Sequence, residues 1–149
     1  MKSRIKKFWT RFLTAILGVL GFTSCVPTVM YGSPHADFKA LGTVKDETGK
    51  SIEGIRVAVR KTWRNKSEGQ EWNQNDTLYT DANGAWALMN QETMVPDVVT
   101  VVFEDIDGEA HGGAFKPAEV KPQIKQTKNG DKSWYLGAFE AEADVTLKK

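Results

Sequence analysis

Apolar and polar residues alternate along much of the chain after residue 38. The clearest example is the last segment, in which every second residue from Phe139 to Leu147 is apolar and the residues between them are polar or charged. A period of two residues is typical of a β-strand with one buried and one wet face. Shorter segments of the same kind, 38–46 and 55–63, predict two more strands.

Three further strands follow from shorter signals. Residues 76–80 and 85–90 flank Asp81-Ala82-Asn83-Gly84, and an Asn-Gly pair at this spacing predicts a tight turn that joins them as a hairpin. Residues 97–105 are apolar on both faces, which is typical of a central strand. Residues 64–75 are polar and predict a long connection. Polar or glycine-containing turns and loops are also predicted at 46–54, 105–113 and 125–132.

About seven short strands, with no helical period after residue 25, predict an all-β fold. The predicted architecture is a transthyretin- or immunoglobulin-like β-sandwich, with a small barrel as the alternative.

The first 25 residues follow a different pattern. Five basic residues and no acidic residue precede position 12, and residues 12–22 carry no charge. A basic start followed by a short apolar run is typical of a secretory signal peptide, here expected to be helical. A membrane-spanning helix needs about 20 apolar residues, so this run is too short for one.

The single cysteine of the chain, Cys25, follows this run. Thr23-Ser24-Cys25 resembles the end of a bacterial lipobox, although Phe22 stands where Leu, Val or Ile is usual. The resemblance implies that Cys25 carries acyl chains such as palmitate and becomes the N-terminus after cleavage. Two or more acyl chains give stable membrane anchoring, whereas one gives marginal binding. The alternative is an ordinary signal peptide that leaves a free thiol.

These features predict three segments: a lipoprotein signal peptide (1–24), a lipidated tether (25–37) and a β-sandwich domain (38–149). The membrane is then a partner through the lipid anchor. The expected location is the outer membrane of a bacterial cell envelope, with either leaflet open. Residues 25–149 hold 15 basic and 19 acidic residues, a net charge of −4. A mildly acidic domain without a basic run is not expected to bind nucleic acid.

Residues 40–90 resemble the carboxypeptidase regulatory-like, transthyretin-like module. Ser51 stands where Pro is usual in that module, and Trp86 stands where Phe or Tyr is usual. The resemblance implies a β-sandwich and no particular activity. The matching positions are Gly42, Val44, Asp46, Gly49, Gly54, Val57, Thr80, Asp81 and Gly84.

Nearly the whole chain is also similar to the lipoproteins of radical-SAM/lipoprotein gene systems. The similarity lies in the basic signal, the lipobox, and the segments 30–47 and 105–115. It implies no known activity for the lipoprotein itself. It implies a radical SAM enzyme as a partner, or, alternatively, that the lipoprotein is the substrate that this enzyme modifies.

Little in the sequence predicts catalysis. His35 and His111 are the two histidines, and neither accompanies a nucleophile motif; G-x-S-x-G, H-E-x-x-H and C-x-x-C are all absent. We therefore expect a protein that is not an enzyme and has no cofactor.

Two segments are candidate binding sites, each with a structural alternative. Asp105, Asp107 and Glu109 alternate beside Gly108, and they form either a calcium site or a polar turn. Trp63 and Trp72 flank the polar segment 64–75, and they either pack internally or stack on a ligand. The expected function is a membrane-anchored cell-envelope lipoprotein that acts as a non-catalytic binding or interaction module associated with a radical SAM system. The second alternative, besides the modification substrate, is a glycan- or peptide-binding accessory module.

Overall fold

The computed structural model describes residues 32–131 and 133–149, and most of these residues lie in β-strands. The predicted signal helix and Cys25 lie outside the described residues. In the part of the chain that is described, no helix is long and apolar enough to cross a membrane. The strands are β1 (His35–Asp46), β2 (Arg56–Asn65), β3 (Gln70–Tyr79), β4 (Ala85–Glu92), β5 (Val98–Glu104), β6 (Ala118–Val120), β7 (Ile124–Asn129), β8 (Tyr135–Glu142) and β9 (Val145–Leu147).

The strands form two sheets, and the predicted all-β sandwich is confirmed. The first sheet has the order β4-β1-β8-β7, with β9 also paired to β1, and the second has the order β3-β2-β5-β6. The central position predicted for 97–105 is confirmed, because β5 lies between β2 and β6. The core lies between the sheets, where Trp86 of β4 meets Phe103 of β5 edge to face with ring centroids 5.9 Å apart.

The first and last strands of the sandwich run parallel. β1 pairs in parallel with β8 and then with β9. The period-two burial predicted for this last segment is confirmed from Ala141 to Leu147, whereas Phe139 and Glu140 are both half-buried. A short break at 143–144 divides the segment into two strands. Asp144 fixes the break, because its Oδ1 accepts hydrogen bonds from the Thr43 backbone N (2.7 Å) and from Thr43 Oγ1 (2.8 Å). A Cβ at Gly42 would lie 2.0 Å from the Ala143 carbonyl oxygen. The close approach of β1 to the break at 143–144 therefore requires glycine at position 42.

The predicted hairpin between 76–80 and 85–90 is wrong. β3 pairs with β2, and β4 pairs with β1 in the other sheet, so the turn at 81–84 carries the chain between sheets. The turn itself forms as predicted: Asp81 Oδ1 accepts hydrogen bonds from the backbone N of Asn83 and of Ala85. The backbone of β1 fixes its direction, because Val44 N donates to the Gly84 carbonyl oxygen at 2.8 Å.

Two predicted loops are largely strands. Residues 64–75 contain the end of β2 and the first half of β3, with Trp63 opposite Trp72 and Arg64 opposite Glu71. Residues 125–132 contain most of β7, which pairs with β8. Both β3 and β7 are edge strands with mostly exposed side chains. Only Asp76, Leu78 and Ile124 are partly buried in these two strands, so the alternation that reveals other strands is largely missing. The structure adds β6 and β7 and divides the last segment into β8 and β9, which gives nine strands where about seven are predicted.

Several residues of the transthyretin-like pattern have structural roles. Thr80 is buried, and its hydroxyl donates to the Ile52 carbonyl oxygen (2.8 Å) and accepts from the Ile55 backbone N (3.0 Å). Asp46 Oδ1 accepts hydrogen bonds from the backbone N of Thr48 and of Lys50, which closes the turn after β1. These contacts account for the polar positions of the pattern without any ligand.

Candidate functional site

A charged side chain occupies a core position at one end of the sandwich. Val57, Val59, Lys61 and Trp63 follow one another on the inner face of β2, and the Lys61 side chain is 0% exposed. Its Nζ lies 2.5 Å from Glu92 Oε1 of β4 and 3.0 Å from Asp76 Oδ2 of β3. We call Lys61, Asp76, Asn90 and Glu92 the lysine cluster.

Asn90 of β4 completes the surroundings of the ammonium group. Its hydrogen-bond partners set the amide orientation: Oδ1 accepts from Lys61 Nζ at 2.8 Å, and Nδ2 donates to the Met89 carbonyl oxygen at 2.8 Å. An ammonium group has three donors, so each of them has one acceptor here. Because β2 and β3 belong to one sheet and β4 to the other, the cluster joins the two sheets.

The two tryptophans proposed for ligand stacking lie beside this cluster. Trp63 is 5% exposed and its Nε1 donates to the Met94 carbonyl oxygen at 3.0 Å. Its ring lies 6.0 Å from Lys61 Nζ and is stacked on the Trp72 ring, with centroids 6.4 Å apart. Trp72 is 45% exposed. Trp63 therefore packs internally and covers the lysine cluster, and the stacking prediction now depends on the exposed surface of Trp72.

Isolation from water makes the lysine cluster energetically demanding. An ion transferred from water to a protein interior loses several kcal/mol of hydration, and pairing must restore it. The side chains of Glu92 and Asp76 are 11% and 27% exposed, so both carboxylates of the cluster are also largely desolvated. One ammonium group is then paired with two carboxylates, and each of these groups depends on the others to replace its lost hydration.

The acidic segment 105–115, called here the acidic loop, is organised by backbone contacts. Asp105 Oδ1 accepts from the Asp107 backbone N (3.2 Å), and Asp105 Oδ2 accepts from the Phe115 backbone N (2.9 Å). Phe115 is 8% exposed and belongs to the core. Asp105 thus holds the loop in the conformation that places the Phe115 side chain in the hydrophobic core.

Asp107 pairs with a histidine of the same loop. Its Oδ2 lies 2.5 Å from His111 Nδ1, and the side chains are 30% and 47% exposed. The hydrogen bond with His111 lowers the pKa of Asp107, and the hydrogen bond with Asp107 raises the pKa of His111. The arrangement is a partly exposed histidine–carboxylate pair, which is an ion pair whenever His111 is protonated.

The candidate calcium ligands are therefore used in different ways. Asp105 binds backbone N–H groups, Asp107 binds His111, and Glu109 is exposed. Among residues 32–131 and 133–149, no group of three or more His, Cys, Asp or Glu side chains is arranged to hold a metal ion. Calcium binding stays a prediction, and binding through Asp107 would have to displace His111.

The outer face of the first sheet contains two adjoining depressions. One has a volume of about 430 Å³ and the other about 370 Å³, within the range of small-ligand pockets. Leu41 lies between Ala87 and Glu142 on neighbouring strands, and Lys39 lies between Met89 and Glu140. We call this surface the open face; its residues are Asp37, Lys39, Leu41, Thr43, Asp81, Ala85, Ala87, Met89, Ala138, Glu140, Glu142 and Asp144.

The open face combines an apolar floor with an acidic border. Met89 is 74% exposed. Lys39 Nζ lies 3.9 Å from Glu140 Oε2, which leaves Glu142, Asp81 and Asp144 as additional carboxylates beside the larger depression. The local charge favours a ligand with a cationic group.

Sequence reasoning missed both the lysine cluster and the open face. Lys61 is in phase with Val57, Val59 and Trp63, and this period was a usable signal that its side chain points inward. Its partners Asp76, Asn90 and Glu92 lie on two other strands, and only the pairing of those strands brings them together. The open face depends in the same way on the order of β4, β1 and β8.

Comparisons with known proteins assign no family to the chain. No protein family and no curated protein match its sequence. Solved structures do match. One is the dioxygenase domain of a dioxygenase carbohydrate-binding protein fusion from Streptomyces sp. SirexAA-E, with a TM-score of 0.47, 12% identity, and coverage of 80% of this chain and 84% of that one.

A second match is chlorocatechol 1,2-dioxygenase from Pseudomonas putida, with a TM-score of 0.47 and 14% identity over 83% of this chain and 70% of that one. At these values neither match bears on the activity of this chain.

Proposed function

We propose that this chain is a lipid-anchored protein of the bacterial cell envelope that acts as a non-catalytic binding module. The basic start, the uncharged segment 12–22 and Cys25 support the anchor. The open face supports the binding role, and it is the observation on which the proposal rests. An exposed apolar floor with an acidic border suits a peptide segment that carries both apolar and basic side chains.

The anchor is tested by replacing Cys25. In the unaltered protein, metabolic labelling with palmitate should mark the chain, and the chain should sediment with membranes. The Cys25→Ala variant should lose both properties while keeping its β-sandwich circular dichroism spectrum. Equal membrane association of the two proteins would contradict the anchor.

The binding role is tested by nuclear magnetic resonance with the mature protein in detergent micelles. Titration with a panel of basic peptides should shift the resonances of Leu41, Ala87 and Met89. Ala87→Lys places a positive charge on the open face and should weaken binding. Ala58→Lys, on the outer face of the other sheet, is the matched control and should leave binding unchanged.

A neutral glycan panel separates the two ligand classes that the sequence left open. Shifts at Trp72 with glycans, and none on the open face with peptides, would replace the peptide proposal with a glycan-binding one. Absence of shifts with both panels would contradict the binding role.

The similarity to radical-SAM-associated lipoproteins favours a radical SAM enzyme as partner, with the chain as its binding module or its substrate. Co-purification of the chain with that enzyme from the native host tests the partnership. A mass change found only when the enzyme gene is intact would identify the chain as a substrate.

A further inference from the structure

The lysine cluster has the composition and geometry of a reactive site as well as of an ion pair. Lys61 supplies an amine, Asn90 supplies a carboxamide whose oxygen lies 2.8 Å from that amine, and Glu92 supplies a carboxylate 2.5 Å from it. Trp63 covers the end of the cluster, and Lys61 is 0% exposed. An amine held against a carbonyl in a water-excluded position has a very high effective concentration.

We propose that Lys61 and Asn90 form an amide crosslink between β2 and β4 within the folded chain, with Glu92 as the proton-transfer group. Glu92 first accepts a proton from the Lys61 ammonium group, across their direct contact. The neutral Nζ then attacks Cγ of Asn90. The Cγ–Nδ2 bond breaks, and Nδ2 leaves as ammonia after it takes the second amine proton.

The atoms balance without an additional reagent. One ammonium group and one carboxamide become one secondary amide and one ammonium ion, which carries away the proton held by Glu92. No atom is oxidised or reduced. The reaction therefore needs neither a cofactor nor a partner enzyme.

Asn90 is a better acyl donor than Asp76, although both contact Lys61 Nζ. An ionised carboxylate resists attack by an amine because it carries negative charge, whereas a carboxamide is neutral. We assign to Asp76 the positioning of Nζ through its 3.0 Å contact.

The crosslink would join the two sheets of a chain that has no cysteine besides Cys25. Such a bond resists reduction, and it constrains the unfolded state in the way that a disulfide does. It gives an envelope protein a covalent link that is independent of the redox state of its compartment.

Peptide mass spectrometry of the purified, unaltered protein tests the proposal. Trypsin cleaves after Lys and Arg, so a free Lys61 is a cleavage site and a crosslinked Lys61 is not. We expect a branched product in which 61–64 is joined to 67–125, with a mass lower than the sum of the linear peptides by one ammonia and one water. Fragmentation should place the branch at Asn90.

The branched peptide, and not the mass loss of the intact chain, is the criterion. Asn83-Gly84 and Asn129-Gly130 can each lose ammonia by ring closure onto the following backbone nitrogen, which gives the same intact mass. Linear peptides only would overturn the proposal. A branch at Asp76 with loss of water instead of ammonia would overturn the assignment of Asn90.

Three variants separate the crosslink from a purely structural ion cluster. Glu92→Gln keeps the shape of the side chain but cannot accept the proton, and Lys61→Arg keeps the charge but lacks the amine; both should give linear peptides only. Glu140→Gln is the matched control, because Glu140 also pairs with a lysine, at 3.9 Å on the surface. Glu140→Gln should keep the branched peptide. A branched peptide in Glu92→Gln would contradict the role of Glu92.

Expression in two hosts tests whether the reaction is self-catalysed. Formation of the branch only in the native host, and not in a heterologous one, would contradict self-catalysis.

Discussion

The lysine cluster and the acidic loop both combine carboxylates with one basic group, but they place them in opposite environments. Lys61 has no exposed surface, whereas His111 and Asp107 are about half and one-third exposed. In the cluster the charges depend on one another, because water cannot replace a missing partner. In the loop water can replace it, so the pair adjusts the pKa of its members and contributes little to the free energy of unfolding.

The largest effect is expected from Lys61→Met. It leaves the Glu92 and Asp76 carboxylates without their cation and also removes the proposed crosslink, so we expect a loss of at least about 3–5 kcal/mol in the free energy of unfolding. Urea denaturation followed by fluorescence measures it. The double variant Lys61→Met/Glu92→Met removes the second buried charge and should regain part of the loss. If the free energy of unfolding of Lys61→Met lay within about 1 kcal/mol of that of the unaltered protein, the cluster would behave like an ordinary surface pair. The two regions would then not differ in the way proposed here.

A somewhat smaller effect is expected from the tryptophan that covers the cluster. Trp63→Ala removes a ring that is 5% exposed, and we expect a loss of about 3 kcal/mol in the free energy of unfolding. Trp72→Ala is the matched control because it removes the other ring of the stacked pair, which is 45% exposed. Its loss should be clearly smaller. Equal losses would show that Trp63 does not protect the cluster from water.

Asp107→Asn should change a pKa more than it changes stability. The His111 pKa is raised above its ordinary 6.5, mainly by its hydrogen bond with Asp107. In the unaltered protein the contribution of His111 to stability is present below pH 6.5 and is lost as the pH rises through the raised pKa. Asp107 acts at the acidic end of the pH range. Because its pKa is lowered in the folded protein, its contribution to stability is present above pH 3.8 and is lost as the pH falls below that value.

Nuclear magnetic resonance titration of the His111 ring measures this effect. The pKa should fall in Asp107→Asn, and the midpoint of urea unfolding at neutral pH should change little. A His111 pKa that is the same in both proteins would show that the contact does not form in solution.

The smallest effect is expected from calcium. Asp105 is bound by backbone N–H groups and Asp107 by His111, so a calcium ion would compete with existing partners. We expect the same melting temperature in millimolar calcium and in excess chelator. A higher melting temperature in calcium, lost in Asp105→Asn, would instead support the calcium site at Asp105, Asp107 and Glu109.

Prediction from the sequence succeeded where one side of a strand is buried. β1, the first part of β2 and the last segment show their alternation directly, and all of them are strands. It failed at the first half of β3 and at β7, because an edge-strand segment that is wet on both faces has no alternation to show. The turn at 81–84 was found, but its Asn-Gly pair does not specify whether the chain returns to the same sheet or crosses to the other.

The sequence by itself determined the period of the strands and the turn residues, and it is the sole basis of the proposed export signal that ends at Cys25. These features are local, since each depends on the backbone preferences or the polarity of a few neighbouring residues. Only the tertiary structure decided the partners of Lys61 and the shape of the open face. Asp76, Asn90 and Glu92 come from strands of different sheets, and their meeting depends on strand order and register, which are set by packing of the whole core rather than by any one segment.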